Sequence, residues 1–403
     1  MFPRNNISNT QRILSFNISL STGKKYPFKD KGNNTLKSSV IKFMKENGFA
    51  APGYKFKIAI FGGRKLDMNK TLLANGIEDN SNVLFIIETP VEHNINNIIK
   101  ITFHQITIAG LNFDGKTKLN QDTTLIKLNV GDIKGFNLFG VFDGHGKYGH
   151  FVSQFCRDYF IKAMEQYSFQ CIIRNMLTPE QIYNNVKNKF IQYIIDCFRN
   201  ADIEMTQQSI FDYYSSGTTC TLVIQLNKNL ICANVGNSRG IIIYDNDKNT
   251  YRGLYPISRD HIPEELQEYQ RIINNGGIVS QYIDKNGTKF GHYRIYKKGQ
   301  ATPGIHISRA LGDLNAKNCG VINIPEIREY NLTDNSKYMV ICSDGIWEIM
   351  SNEYVRDLGN IYYKKGQIVP FCTDLIQMAM LFWKNKYSDY RDDIAVVCVY
   401  FNK

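Results

Sequence analysis

The 403-residue sequence lacks a hydrophobic run long enough to span a membrane. No stretch of about 18 apolar residues occurs, and the first residues lead into no apolar segment of signal-peptide length. Met1-Phe2 lacks the glycine that myristoylation requires, and Phe401–Lys403 is not a prenylation signal. We therefore expect a soluble protein of the cytoplasm or the nucleus, without a membrane partner.

Cysteine is absent from the first 155 residues, and the nine cysteines that follow contain no Cys-x-x-Cys. An odd number without close spacing does not fit a disulfide framework or a zinc site. Free thiols in a reducing compartment are predicted instead. The nine are Cys156, Cys171, Cys197, Cys220, Cys232, Cys319, Cys342, Cys372 and Cys398.

Composition indicates a mostly globular chain, because 43% of the residues are hydrophobic and only 21% are charged. The length predicts two or three domains of about 150 residues each. The net charge of +11 is concentrated in residues 1–100, which hold 15 basic and 7 acidic residues and so carry +8 of it. A basic segment of this kind could bind nucleic acid, but it has no basic motif interleaved with aromatics, so we do not expect a nucleic-acid partner.

The N-terminal quarter shows the pattern of a small α+β roll. Strand-like alternation over residues 13–20 is followed by a turn and a second short strand. Apolar residues near helical spacing then predict a helix from Thr35 to Asn47, with Gly48 as its C-cap. Two further strands, at 56–61 and 82–87, complete the order β-β-α-β-turn-β.

This order resembles that of ubiquitin-like domains, as do the motifs at 61–67, 71–77 and 82–85. The resemblance implies a β-grasp roll over residues 13–88, preceded by an extension of residues 1–12. The chain continues past this roll without a terminal Gly-Gly, so the roll is expected to be a built-in docking module for a protein partner and not a conjugated modifier. A folded spacer that only packs on its neighbour is the alternative.

The polar segment 89–98 is the predicted linker to a second domain at residues 99–403. Within that domain, Thr178–Gln181 forms a capping box that opens a helix. Pro263 is predicted to open another helix that runs to Asn275.

Four aspartates adjoin predicted strands in distant parts of this domain: Asp122, Asp143, Asp344 and Asp392. Buried strands can deliver such carboxylates to one edge of a sheet, where hard oxygen ligands suit Mg²⁺ or Mn²⁺. The absence of Cys/His ligand spacing argues against zinc. Taken alone, each aspartate is better explained as a turn residue, because Asp-Gly after a strand is a good turn, and only the combination of the four favours a metal site.

A colinear series of short motifs extends over about 300 residues of this domain. These are Val141–Gly146, Ser216–Thr219, Ala233–Gly240, Asp260–Pro263, Arg271–Ile272, Gly276–Gly277, Pro303–Gly304, Ser308–Asp313, Ser343–Trp347 and Asp392–Ile394. Residues 102–402 thereby resemble type 2C metal-dependent protein serine/threonine phosphatases. The resemblance implies an α-β-β-α sandwich of two antiparallel sheets flanked by helices, with two Mg²⁺ or Mn²⁺ ions at one edge.

By the same resemblance, Asp143 would bridge both metal ions and the carbonyl of Gly144 would bind one of them. Asp344 and Asp392 would bind the other, and Asp122 would belong to the same metal set. Two such ions can lower the pKa of a water molecule and stabilise the entering and leaving oxygens of a displacement at phosphorus.

His145 matches the family position of the general acid that protonates the leaving seryl or threonyl oxygen. A histidine with a purely structural role is the alternative at this position.

Other positions depart from the family pattern. Thr117 stands where many members have arginine, and the adjacent Lys118 is the candidate for holding the substrate phosphate. Tyr214 stands where some members have an acid of a third metal site. Asn237 replaces the usual Asp before Ser-Arg and is interpreted as a turn residue.

The motifs leave two functions open. The first is an active phosphatase of phosphoproteins with a ubiquitin-like docking module. The alternative is a catalytically inactive scaffold that recruits partners through that module. Activity is favoured because degenerate members of the family typically lose one of the metal-binding aspartates, whereas all four are present here.

Overall fold

The computed structural model describes residues 13–20, 25–47, 55–61, 64–88, 98–207, 212–245 and 253–402. The chain divides into two compact units, one formed by residues 1–97 and 169–177 and the other by residues 98–168 and 178–403. The predicted extension 1–12, the predicted linker except Ile98, the cap Gly48 and the turn Gly62-Gly63 lie outside the described residues. The predicted domain bounds therefore stay predictions.

Among its described residues, the first unit contains five strands and one complete α-helix. They are β1 (Ile13–Leu20), β2 (Lys25–Lys31), α1 (Leu36–Glu46), β3 (Lys55–Phe61), β4 (Arg64–Lys65) and β5 (Asn82–Glu88), with a 3-10 helix at Leu73–Asn75. The sheet has the order β2-β1-β5-β3-β4. β1 and β5 run parallel, whereas the other neighbours are antiparallel.

Strand alternation builds the core of this unit. Leu14, Phe16 and Ile18 are buried, whereas Ile13 is 62% exposed. Thr35 caps α1 by accepting a hydrogen bond from the backbone N–H of Ser38. The helix adds three buried side chains to the core: Leu36, Val40 and Phe43.

The second unit contains the strands β6 (Lys100–Ile108), β7 (Asp122–Lys127), β8 (Phe136–His145), β9 (Gly217–Thr218), β10 (Cys220–Leu226), β11 (Asn229–Val235), β12 (Arg239–Tyr244), β13 (Leu254–Pro256), β14 (Gly277–Ile283), β15 (Lys289–Lys297), β16 (Pro303–Ile305), β17 (Leu311–Gly312), β18 (Glu326–Asn331), β19 (Ser336–Cys342) and β20 (Ile394–Asn402). The helices that follow α1 are α2 (Gly149–Ile173), α3 (Pro179–Thr206), α4 (Leu266–Asn274), α5 (Leu314–Lys317), α6 (Asp344–Trp347), α7 (Asn352–Tyr363) and α8 (Ile368–Tyr387).

Two antiparallel sheets form the centre of the second unit. The first has the order β17-β9-β8-β10-β11-β18 with β7 beside β8, and the second has the order β13-β12-β19-β20-β6. A third, smaller sheet consists of β14, β15 and β16.

The layers follow from the two-residue period of the strands, which β20 shows clearly. Val397 and Val399 face the core between the two large sheets, whereas Val396 and Cys398 face a second core that α7 and α8 cover. On the outer face of the first sheet, the ring of Phe142 lies against Phe160 of α2. The second unit is thus a mixed α+β fold of antiparallel sheets and helices, as predicted.

Local sequence signals in this unit were mostly correct. Thr178 and Gln181 form the predicted capping box at the start of α3. The helix predicted to open at Pro263 begins instead at Leu266, because the residues before it form a turn in which the N–H of Glu265 donates to Ile262. All nine cysteines are free, as predicted, and all nine are buried. No helix in the described ranges is long and apolar enough to cross a membrane.

Candidate functional site

Two of the predicted aspartates come from neighbouring strands of the first sheet. Asp122 opens β7 and lies directly opposite Asp143 of β8 in the antiparallel register. Asp122 is buried, and neither of its carboxylate oxygens has a hydrogen-bond partner among the described residues. Burial raises the pKa of Asp122 well above its usual range, and the nearby carboxylates add to the rise. The Ser343 hydroxyl lowers the pKa of Asp122 and so offsets part of this rise, although it makes no hydrogen bond of normal geometry to the carboxylate.

The two Asp-Gly pairs are not turns. Gly144 lies inside β8, and a Cβ atom there would lie 2.4 Å from the carbonyl oxygen of Gly149. Gly345 lies inside α6, and a Cβ atom there would lie 2.0 Å from the carbonyl oxygen of Asp393. Glycine is therefore needed at both positions because another backbone segment passes too close for a side chain. The interpretation of these two Asp-Gly pairs as turns is wrong.

The other two predicted aspartates come from the second sheet. Asp344 follows β19 at the start of α6, and Asp392 lies two residues before β20, the antiparallel neighbour of β19. The carboxyl groups of Asp143 and Asp344 lie within hydrogen-bonding reach of each other. Burial raises the pKa of Asp143, and the charges of Asp122, Asp344 and Asp392 raise it further. The fold thus brings together all four predicted aspartates.

Asp344 has donors that the other aspartates lack. Asn237 donates its side-chain amide to Oδ2 of Asp344 at 2.9 Å, and Nε2 of His306 lies 3.6 Å from the same oxygen. Burial alone would raise the pKa of Asp344, but these donors lower it to about 2. The interpretation of Asn237 as a turn residue is therefore incomplete, because its side chain contacts the carboxylate cluster.

Lys118 reaches the cluster, whereas its neighbour Thr117 is exposed. The Lys118 ammonium forms an ion pair with Asp392 and lies 3.8 Å from Oδ1 of Asp393. Burial would lower the pKa of Lys118, but the charges of these two carboxylates raise it. Lys118 therefore contributes a positive charge at the edge of the site, and its role in holding phosphate stays a prediction.

Asp393 belongs to the sequence motif Asp392–Ile394, but it was not among the predicted site residues. Its carboxylate accepts the backbone N–H of Gly110 at 2.6 Å and that of Gln121 at 2.9 Å. These bonds tie the start of β20 to the residue before Asp122. A second carboxylate next to Asp392 was the available signal, but only the fold shows that it orients its neighbours.

His145 ends β8 beside the carboxylates, and its partner is a second residue that the sequence did not single out. Nε2 of His145 lies 2.6 Å from Oδ2 of Asp313, which is buried. Burial would lower the pKa of His145, but the charge and the hydrogen bond of Asp313 raise it above its ordinary value. The signal for Asp313 was its place at the end of the motif Ser308–Asp313.

Three residues bear on a third metal site: Tyr214, the nearby Asp212, and Glu348, which lines the same cleft as Asp344 and Asp392. Tyr214 is 58% exposed. The nearby Asp212 accepts hydrogen bonds from the backbone N–H of Tyr214 and from the hydroxyl of Ser215. Glu348 forms an ion pair with His292 of β15 at 2.5 Å.

The aspartate cluster fits a divalent cation by its chemistry. In the described ranges, no three His, Cys, Asp or Glu side chains are arranged as a ready-made metal cage. The partly buried carboxyl groups of Asp143 and Asp344, which are in mutual contact, however, require a shared proton or a cation between them. The oxygens of Asp122, which lack a hydrogen-bond partner, point to the same requirement. Oxygen donors of this kind suit Mg²⁺ or Mn²⁺.

A cleft with a volume of about 520 Å³ lies beside this cluster. Asp344 and Asp392 line its wall, together with His306 and the aromatic rings of Tyr282 and Tyr390. The carboxylates are therefore accessible from a cleft that has both polar and aromatic walls.

Comparisons with known proteins agree with this geometry. Residues 112–378, more than half of the chain, match the family model described as "Protein phosphatase 2C". The chain is 27% identical over 296 residues to "Probable protein phosphatase 2C 73" of Arabidopsis thaliana, covering 72% of this chain and 77% of that protein. It is also 27% identical over 317 residues to "Probable protein phosphatase 2C 12" of Oryza sativa subsp. japonica, covering 72% of this chain and 79% of that protein.

A solved structure shows the same fold. The serine-threonine phosphatase 2C from Toxoplasma gondii matches with a TM-score of 0.61 and 21% identity, covering 76% of this chain and 95% of that one. The family match and the shared fold lead to one conclusion: the chain belongs to the protein phosphatase 2C family.

Proposed function

We propose that this chain is an active protein serine/threonine phosphatase that hydrolyses phosphoserine and phosphothreonine at a centre of two Mg²⁺ or Mn²⁺ ions. Members of its family are in general metal-dependent. The observation that carries the proposal is the convergence of Asp122 and Asp143 from one sheet with Asp344 and Asp392 from the other. Their charges raise the pKa values of Asp122 and Asp143, so the folded chain holds an excess of negative charge that divalent cations would neutralise.

Each element of the fold supplies one part of this centre. Asp143 and the carbonyl of Gly144 would contribute from β8, and Asp344 and Asp392 would contribute from the second sheet. Asp122 would complete the set from β7. Bound metal ions would supply an activated water molecule and stabilise charge at phosphorus.

His145 is the proposed general acid. The breaking P–O bond leaves its electron pair on a seryl or threonyl oxygen, which is a poor leaving group unless it takes a proton. The pKa of His145 is raised by Asp313, so the ring is protonated at a higher pH than a free histidine would be. Its position next to Gly144 places that proton beside the carboxylates.

The test is hydrolysis of p-nitrophenyl phosphate with Mn²⁺ and with EDTA. We expect turnover only with the metal ion, and a loss of about a hundredfold or more in Asp143→Asn. Asp334→Asn is the matched control, because Asp334 is an exposed acid in the loop between β18 and β19. Metal-independent turnover, or full activity of Asp143→Asn, would overturn the proposal. No turnover in either condition would favour the inactive scaffold.

We further propose that the first unit is a ubiquitin-like docking module for a protein partner. Three features support this: the sheet order β2-β1-β5-β3-β4, the parallel pairing of β1 with β5, and a core of its own. A helix between the second and third strands of a mixed sheet fits the β-grasp order expected from the sequence.

Two adjacent residues of β1 allow a matched test of docking. Leu14→Asp places a charge in the core of the first unit, whereas Ile13→Asp places it on the surface. We expect both variants to hydrolyse p-nitrophenyl phosphate normally. Proteins that co-purify with the unmodified chain from cell extract should be absent with Leu14→Asp and present with Ile13→Asp. Identical sets of co-purifying proteins for both variants would favour the spacer alternative.

A further inference from the structure

The contact between His145 and Asp313 joins two residues that are 168 positions apart. His145 ends β8, whereas Asp313 lies between β17 and α5. The side chain of Asp313 is 5% exposed, and its Oδ2 lies 2.6 Å from Nε2 of the imidazole ring. A buried carboxylate therefore accepts a hydrogen bond from the proposed general acid.

Asp313 is held in place independently of His145. Its backbone adopts the left-handed conformation with φ 50° and ψ 49°, which aspartate tolerates better than most non-glycine residues. Its N–H donates to the carbonyl of Ser216 at 3.0 Å. The preceding N–H, of Gly312, donates to the carboxylate of Asp202 at 2.8 Å.

Asp202 is itself anchored. It lies buried on α3, where Lys317 forms an ion pair with Oδ2 at 3.1 Å and the amide of Asn323 donates to the same oxygen at 2.9 Å. A network of fixed polar contacts thus extends from α3 to the carboxylate that contacts His145.

The backbone of Gly217 packs against the hydrogen bond between His145 and Asp313. A Cβ atom at this position would lie 2.1 Å from Oδ2 of Asp313 and 2.8 Å from Nε2 of His145. The chain therefore leaves no room for another group at this hydrogen bond. The lack of space for a side chain therefore explains the glycine in the motif Ser216–Thr219, and no special turn conformation is needed.

We propose that Asp313 is a positioning residue for His145, which fixes the ring orientation and keeps one proton on Nε2. This inference rests on the proposed role of His145 as general acid. With Nε2 held by Asp313, the ring keeps one orientation while His145 gives a proton to the seryl or threonyl oxygen as the P–O bond breaks. Water supplies the new oxygen on phosphorus, and the ring regains a proton from solvent.

Two substrates with different leaving groups test the proposal. A phosphoserine peptide needs a proton on its leaving oxygen, whereas p-nitrophenolate leaves readily without one. We expect Asp313→Asn to lower kcat for the peptide about tenfold or more and kcat for p-nitrophenyl phosphate less than about threefold, with KM little changed for both. Equal losses with both substrates, or no loss, would overturn the positioning role.

His145→Ala separates this inference from the proposed function. If His145 is the general acid, this variant shows the same preference for p-nitrophenyl phosphate. Equal losses with both substrates in His145→Ala would overturn the general-acid role itself. A substrate-dependent loss in His145→Ala without one in Asp313→Asn would overturn only the role of Asp313.

A measurement on the unmodified chain covers the case in which the variant fails to fold. The ¹⁵N chemical shifts of the neutral His145 ring distinguish a proton on Nε2 from one on Nδ1. We expect the Nε2–H form in the full chain. A predominant Nδ1–H form would overturn the proposal, because Asp313 could then not be accepting the ring proton.

Discussion

Asp122 and Asp143 lie directly opposite each other on two adjacent antiparallel strands. Like charges in this position ordinarily destabilise a sheet, and the burial of Asp122 adds to the effect because its carboxylate has little contact with water. Burial also raises the pKa values of both carboxyl groups well above their usual range. The pairing is thus unfavourable in the chain alone and would become favourable if a divalent cation shared the two charges.

Metal binding should therefore stabilise the fold through these two residues. We expect Mn²⁺ at a hundredfold excess over its Kd to stabilise the chain by about 2.7 kcal/mol. Asp122→Asn should reduce that gain and, because it removes a buried charge, stabilise the metal-free chain by about 1 kcal/mol. Thermal unfolding with Mn²⁺ or EDTA measures both effects, and Asp334→Asn serves as the control. A metal-free chain destabilised by Asp122→Asn would contradict this account.

The sequence predicted the carboxylates better than it predicted their partners. Asp143 and Asp344 stand in short motifs whose order along the chain indicates the family, so local pattern was sufficient. The bond between His145 and Asp313 depends instead on a long-range approach of two chain segments, which no local spacing encodes.

Local signals also failed where tertiary contacts changed the outcome. Pro263 is a good first residue of a helix, yet it is buried beside His261, whose backbone N–H donates to Gly236. The segment is therefore held in a turn, and α4 begins only at Leu266. Propensity was overridden here by packing and backbone hydrogen bonding.

The first unit offers a matched pair of stability variants. Leu14 is fully buried and Ile13 is 62% exposed, although the two are neighbours in β1. We expect Leu14→Ala to destabilise the first unit by about 2–5 kcal/mol because it leaves a cavity, and Ile13→Ala to change its stability by less than about 0.5 kcal/mol. Hydrogen exchange of the amides in β1 and β5 measures both. Equal protection in the two variants would contradict the burial described here.

The small sheet of β14, β15 and β16 carries basic residues with different roles. Arg294 donates to the carbonyl of Gly304 at 2.6 Å and stacks over Tyr282, so it holds the sheet together. The exposed basic side chains of this region are four lysines: Lys285, Lys289, Lys297 and Lys298.

Reversing the charge of these four lysines should weaken turnover of an acidic phosphopeptide. We expect kcat/KM to fall about tenfold at low salt and less at high salt, because exposed charges act by screened attraction. Turnover of p-nitrophenyl phosphate should not change. Reversal of four exposed lysines elsewhere is the control: Lys100, Lys134, Lys364 and Lys365. Equal losses with both substrates would indicate a solvated hairpin without a role in selection.

A buried carboxylate outside the aspartate cluster should control acid stability. Glu268 of α4 is 1% exposed and accepts hydrogen bonds from Arg271 at 2.7 Å, Arg309 at 2.6 Å and Ser308 at 2.6 Å. Burial alone would raise the pKa of Glu268, but these donors hold it far below its usual range. Arg271 and Arg309 both belong to the sequence motifs of the family, and this contact gives them a structural role.

The sign of the pH effect follows from that depressed pKa. The unfolded chain binds a proton at Glu268 below about pH 4.3, whereas the folded chain does not. The stabilisation is therefore complete above this pH and is lost as the pH falls towards the pKa of the folded state. Glu268→Gln should destabilise the chain by about 2–4 kcal/mol near neutral pH, because two partly buried guanidinium groups lose their buried counter-charge. It should also make the urea midpoint less dependent on pH below about 5. Glu264→Gln, an exposed change in the preceding turn, should do neither, and an equal loss in both variants would show that the buried network contributes nothing specific.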